Sequence, residues 1–262
     1  MSLSYSRLRT FLQCPLRYHF EYVEKAPVEF TSADRLFGRA MHMTLAQYGL
    51  GLMTGEPLSG EHLNNLFLNT WHDLLKQHDK VRFGKCQAAD LEIRGIGLLN
   101  QFCQDYQPQQ VIGVEEPFST ALDSIPFKGQ VDWLEEDELG NPILVNIKTA
   151  SRRPADCPTA LIQPALYALA FRTLGWSHTC LIRLVTLVKT QKPQVHIQEF
   201  ILDEALLAQA QTILQGVNLA VQTEVVYPNP SYLCHYCPYQ RRCQSTVQNT
   251  KSKEKDICLS KS

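Results

Sequence analysis

The sequence predicts an α/β protein with a helical N-terminal portion, a sheet-containing core and a short Cys-rich coil near the C-terminus. Three observations predict it. Apolar residues recur with helical spacing from position 36 to about 107. From 108 to 202 the pattern changes to short β-type runs separated by turn residues. Beyond 228 the chain turns polar, and Cys234, Cys237 and Cys243 crowd together.

Each element has its own local reason. Tyr5, Leu8, Phe11 and Leu12 follow helical spacing behind Ser4, a plausible cap. Cys14-Pro15 interrupts that helix, and Pro15 starts a second one through Arg17, Tyr18 and Tyr22. Residues 26–34 read as a loop, followed by helical segments near 38–48, 60–78 and 88–106. Val111–Val114, Phe127–Leu134 and Ile143–Lys148 read as strands, the last two joined by the turn residues 137–142. Leu161–Leu174 is a helix stopped by Gly175. Residues 179–188 and 195–202 form a second strand pair, and Asp203 caps an amphipathic helix to Thr223. One domain is expected over 1–244, with a Cys-rich segment at 228–244 and a disordered tail at 245–262.

Composition narrows the function classes. The 262 residues are 44% hydrophobic and 19% charged, an ordinary globular balance. Lys plus Arg is 25 and Asp plus Glu is 26. That near-neutrality excludes a strongly basic chromatin-type binder but leaves room for a local basic groove. No apolar run approaches the ~20 residues of a membrane-spanning helix. The opening Met-Ser-Leu-Ser-Tyr-Ser-Arg has no export pattern, so the expectation is a cytoplasmic protein without a membrane partner.

Nine cysteines in such a chain argue against a disulfide scaffold. The spacing Cys234-x2-Cys237-x5-Cys243 puts thiolates within reach of one metal centre, and a further cysteine must complete it. Cys86, Cys103, Cys157 and Cys180 read as small buried hydrophobes.

A second constellation lies in the core. Asp132 and Asn146 are equidistant from residue 139, inside the turn, so a simple register sets them opposite each other. Asn146 and Lys148 are two apart and share a face. Polar groups thus converge on one sheet face, which suits either a site or a solvated edge hairpin.

The sequence Gly129-Gln-Val-Asp132, then Val145-Asn-Ile-Lys148-Thr149, then Gln163-x3-Tyr167 resembles the PD-(D/E)xK nuclease superfamily, and more narrowly its RecB-like members. Leu3-Ser-Tyr-Ser-Arg7 with Cys14-Pro15, the segment Phe37–His42 and the terminal cysteines resemble iron–sulfur members. These include the CRISPR-associated adaptation nucleases and the AddB-type helicase–nucleases. The resemblance spans Ser4 to Cys243 and implies a restriction-endonuclease-like mixed central sheet flanked by helices. It implies a metal-dependent DNA nuclease acting in repair, recombination or CRISPR adaptation, probing single-stranded DNA by end-trimming or exonuclease action. Helicase or adaptation proteins would be its partners. His42 and Asp132 would ligate Mg2+ or Mn2+, and Lys148 would orient water or stabilise charge on phosphate. Gln163 and Tyr167 would face the active site or the DNA, and Glu116 would be an auxiliary acid. Cys14 would join Cys234, Cys237 and Cys243 around a [4Fe–4S] cluster in preference to zinc.

One position departs from the pattern. Asn146 stands where the resemblance implies an acid, a second metal ligand. An amide oxygen can ligate a cation but brings no charge, so metal affinity and catalysis should fall. A nuclease disabled by substitution, a natural variant of weak activity and a DNA-binding module or helicase subunit without catalysis all fit. The retained Asp132, Lys148, His42, Gln163 and Tyr167 favour the first. Arg7, Arg9, Arg17, Arg35 and Arg39 bias the N-terminal region towards basic character, and Arg152-Arg153, Lys189, Lys192, Arg241 and Arg242 add smaller clusters. Singly they read as solvated surface, and together as one wall of a groove for single-stranded nucleic acid, with Tyr18, Tyr22, Tyr232 and Tyr236 as stacking platforms.

Overall fold

A computed structural model describes residues 2–153, 158–176 and 181–245. The expected tail, with Cys258, and also Cys157 and Cys180, lie outside the described residues. Helix α1 (Tyr5–Gln13) begins behind Ser4, whose hydroxyl accepts the Arg7 N–H. After Cys14, α2 (Pro15–Tyr18) starts on proline and widens into a π-helical turn, His19–Val23. The segment expected as a loop contains β1 (Thr31–Ser32), which pairs in parallel with β2 (Val81–Arg82). Three long helices follow the helical pattern: α3 (Ala33–Thr54), α4 (Gly60–Lys76) and α5 (Ala88–Asp105).

The central sheet is built from β3 (Gln110–Leu122), β4 (Ile125–Glu136), β5 (Pro142–Ala150), β6 (Leu181–Val188) and β7 (Gln194–Ile201), in that spatial order. All neighbours are antiparallel except β5 and β6. Their parallel connection carries α6 (Ile162–Thr173), and α7 (Glu204–Gln222) closes the order behind the Asp203 cap. The mixed sheet flanked by helices is therefore present. Strand β3 runs 13 residues, far beyond the four that the apolar run marked.

The sheet separates two apolar layers. One joins Phe118, Phe127, Val131, Leu134 and Leu144 to α1, α6 and α7. The other joins Trp133, Val145, Ile147 and Leu187 to α3, α4 and α5. Cys86 and Cys103, half-buried, pack against this second layer. A buried polar group is threaded through the sheet. Glu135 accepts hydrogen bonds from the Tyr106 hydroxyl and the Arg183 guanidinium, both at 2.5 Å, and from Gln109 N–H.

Helix α3 lies tight on β4. A Cβ added at Gly49 would stand 2.7 Å from Nε1 of the fully buried Trp133. The indole is wedged among Tyr48, Phe102 and Tyr106 and has nowhere to move. Gly49→Ala should therefore destabilise the protein by about 1–3 kcal/mol through overpacking. A urea melt with unchanged midpoint and slope would show the contact to be slack.

Candidate active site

The alternation of β4 breaks at Asp132. Val131 belongs to the α6–α7 layer and Trp133 to the α3–α5 layer, although residues two apart on a regular strand share a face. Across from Asp132, Glu115 adopts φ +52, a left-handed conformation that costs a non-glycine residue about 1–2 kcal/mol. The strand register flanks this point with Val114↔Trp133 and Glu116↔Val131. The pleat thus inverts in both strands at one place, and the inversion turns the two carboxylates together.

Helix α3 supplies the third group. His42 Nδ1 lies 3.2 Å from Asp132 Oδ1. Ligand atoms of His42, Glu115 and Asp132 all fall within 4.8 Å of one another, the only such trio of His, Cys, Asp or Glu among the described residues. Two carboxylates and an imidazole suit Mg2+ or, with the nitrogen, Mn2+. Burial alone would lower the pKa of His42, but the hydrogen bond to Asp132 and the charges of Asp132 and Glu115 outweigh it and raise the value. Burial and the like charge of Asp132 raise the Glu115 carboxyl, partly offset by His42.

Strand β5 completes the site in the register that the turn midpoint predicts: Trp133 pairs with Val145, and the next position brings Asn146 to Asp132. The Asn146 amide donates to Asp132 Oδ2 at 3.3 Å, and the Ile147 N–H donates to the same oxygen at 2.6 Å. Lys148 follows on the same strand with its Nζ 5.9 Å from the Tyr5 ring centroid. Burial, then the charge of Arg9, lower its pKa to about 8, with Asp132 opposing. Gln163 and Tyr167 stand one turn apart on α6, and their side chains hydrogen-bond each other. Tyr167 is buried against Phe118 at 4.9 Å, packing above Gly129, where a Cβ would stand 3.0 Å from the Tyr167 ring.

Glu116, expected as an auxiliary acid, lies within β3, is exposed and folds its side chain back over Gly113. The glutamate whose carboxylate comes near His42 and Asp132 is Glu115. Two adjacent glutamates give no sequence signal for which one turns inward, because the choice rests on the pleat inversion. Helix α1 brings Tyr5, read only as part of the N-terminal motif, to Lys148, and carries Arg9, read only as one of a basic group, one turn further on. Lys189, read as surface charge, is buried and pairs with Asp34 at 2.5 Å.

The cysteines meet at the other end of α1. Cys14, Cys234, Cys237 and Cys243 line one cavity of about 170 Å3 walled by Leu16, Phe20 and Leu233. Asn229 N–H points to Cys14 Sγ and Ser231 N–H to Cys234 Sγ, each at 3.4 Å. Burial, and then the neighbouring thiols, raise the pKa of Cys243.

The mixed sheet, with acids, an imidazole and a lysine gathered at the break of two strands, fits a nuclease fold whose site could hold a metal ion. The family model of the PD-(D/E)XK nuclease superfamily matches residues 2–244, and the chain belongs to that superfamily. None of the curated proteins matches the sequence. Among solved structures, a "Putative exonuclease" from Eubacterium rectale is similar at TM-score 0.57 and 13% identity, covering 91% of this chain and 87% of its own. SSO0001 aligns over 92% of this chain and 95% of its own at 13% identity, with a TM-score of 0.34, too low to bear on the fold. No described helix is long and apolar enough to cross a membrane.

The trio makes a specific forecast. Glu115→Gln should weaken Mn2+ binding roughly tenfold or more, whereas Glu116→Gln should leave it unchanged. Ligation needs the unprotonated imidazole and carboxylate, so affinity should rise as pH climbs through the raised pKa values of His42 and Glu115 and fall below them. Calorimetric titration of both variants across pH checks each part. Equal losses in the two variants would move the ligand back to Glu116.

Proposed function

We propose that the protein is a metal-dependent deoxyribonuclease that trims single-stranded DNA ends, in a repair, recombination or CRISPR-adaptation setting with helicase or adaptation proteins as partners. The observation that carries this reading is the trio His42–Glu115–Asp132 beside a desolvated Lys148. A bound Mg2+ or Mn2+ supplies water activation and charge relief at phosphate. His42, Glu115 and Asp132 would hold it. Lys148, kept cationic by Asp132, would stabilise negative charge as it builds on the phosphoryl oxygens. Gln163 and Tyr167 border the site from α6 and would position the strand.

Asn146 favours a second reading, a module that binds DNA without cutting it. Its amide nitrogen engages Asp132 Oδ2, an oxygen that a cation would otherwise use. An acid here would add a third carboxylate to the two already present. Release of labelled nucleotides from single-stranded DNA in Mn2+ separates the readings. Asn146→Asp should cut at least ~100-fold faster than the parent, and Lys148→Ala in that background should abolish the gain. A fully silent Asn146→Asp protein that still binds DNA would leave only the second reading.

The cysteine quartet is read as a [4Fe–4S] site of structural role. Four thiolates lining one cavity suit either zinc or a cluster, and the resemblance of the split set to iron–sulfur members favours the cluster. The apolar walls and the two backbone N–H donors fit that group as well. Anaerobically purified protein should be brown, with iron and sulfide in equal amounts, and Cys14→Ala should lose both and melt earlier. Stoichiometric zinc without sulfide would overturn the assignment.

A further inference from the structure

We propose that the cleft between α1 and the start of α3 is a backbone-phosphate subsite that holds single-stranded nucleic acid next to the active site. The proposal rests on the nuclease reading above and assigns the path of the strand on one side of the reacting phosphate.

The cleft has a volume of about 420 Å3 and is lined by Arg9, Arg17 and Arg35, with Tyr22, Phe30 and Tyr236 on its walls. That volume falls within the roughly 300–1,000 Å3 of ligand clefts. Two acids also border it, and both are taken. Glu21 pairs with Arg17 at 3.5 Å, and Asp34 pairs with the buried Lys189 at 2.5 Å. Arg9 and Arg35 are exposed and have no carboxylate partner among the described residues. The net balance of the cleft is therefore cationic, with two guanidinium groups left over.

The cleft is continuous with the catalytic lysine through one helix. Tyr5, whose ring lies 5.9 Å from Lys148 Nζ, is one turn before Arg9, and Ser6 and Arg9 form the cleft's edge. A polynucleotide carries an anion at every linkage, so one strand can meet Arg9 in the cleft and Lys148 beyond Tyr5. Guanidinium groups suit phosphate because they donate in a planar fork.

The walls favour an unpaired strand. Tyr236, 65% exposed at the rim, presents a ring face for stacking, whereas Tyr22 is half-buried with its ring under the Arg7 guanidinium and against Tyr18. Tyr18, by contrast, is buried against Phe11 and cannot serve. Bases in a duplex have no free face for such rings, whereas single strands do. Tyr236 comes from the Cys-rich segment, so the far wall of the cleft is set by the same coil that gathers the thiols.

Fluorescence anisotropy with 5′-labelled oligo-dT in EDTA, over a salt series, tests the subsite without any cleavage. Arg9→Gln/Arg35→Gln should weaken binding roughly tenfold at low salt and lower the slope of log K against log salt by about 1.4, close to 0.7 per lost contact. Arg35→Lys should keep the slope, and Lys76→Gln, an exposed cation on α4, should change neither quantity. Parent-like affinity and slope in the double variant would overturn the proposal. So would equal loss of binding to a duplex of the same sequence, because the cleft would then be a general cation patch. If the parent fails to bind oligo-dT while Asn146→Asp cuts DNA, the subsite alone falls. If neither binding nor cutting is seen, the nuclease reading falls first.

Discussion

The carboxylate of Asp132 ties three elements together, and the geometry of the site depends on it. Its Oδ2 accepts from the Ile147 N–H and the Asn146 amide on β5, and its Oδ1 faces His42 on α3. The backbone bond at 2.6 Å stands in for the ladder hydrogen bond that the broken pleat of β4 no longer makes. A charged acceptor makes such a bond stronger than a neutral carbonyl would. The strain at Glu115, on the facing strand, is held by the same arrangement. Two packed layers on either side fix the strands that carry it. The price of that inversion is met by packing, and its product is a pair of carboxylates on one side of the sheet.

Lys148 shows how the same constraint shapes charge. It follows Ile147 on β5, so the bond that anchors Ile147 also fixes where the amine emerges. Burial disfavours its charge, Arg9 disfavours it further, and only Asp132 opposes them. A lysine poised near neutrality is sensitive to whatever anion arrives between it and Arg9. The amide at position 146 adds no charge to this balance, so Asp132 is the acid that opposes burial and Arg9 at Lys148.

Much of the site was legible because strand geometry is periodic. Equal distances from residue 139 placed Asn146 opposite Asp132, and alternation put Lys148 on the Asn146 face. Helical spacing put Gln163 beneath Tyr167, and Pro15 and Ser4 marked the N-terminal helices. What was not legible breaks periodicity. Glu115, not Glu116, turns inward because the pleat inverts, and a positive φ at a glutamate leaves no trace in composition. The full extent of β3 was hidden because its second half, Glu116–Leu122, is partly exposed and polar. The two-residue pairing of β1 with β2 is fixed by the neighbouring helices rather than by its own residues. Lys189 looked like surface charge, yet Asp34 and the Phe37 ring pay part of its desolvation from a distant part of the chain.

The split of the cysteines gains a physical meaning from where α1 begins and ends. Its entry is pinned to the edge of β4, where Leu3 N–H donates to Pro126 and Lys128 N–H donates to Leu3. Its exit at Cys14 is held from the C-terminal side: Asn229 reaches the Cys14 sulfur and the Gln13 carbonyl, and Leu16 N–H donates to Tyr227. Between those two anchors sit Tyr5 and Arg9, the groups that meet Lys148. Among the described residues, the core that the Cys-rich segment shares with α2 and its π-helical turn is the small apolar cluster of Leu16, Phe20 and Tyr239, and three residues bury too little surface to hold a helix end by themselves. In the proposed assignment, a centre joining Cys14 to Cys234, Cys237 and Cys243 would supply what that core lacks. Such a staple, distant from the reacting atoms, would act on them through one nine-residue helix, by keeping Arg9 at the mouth of the site.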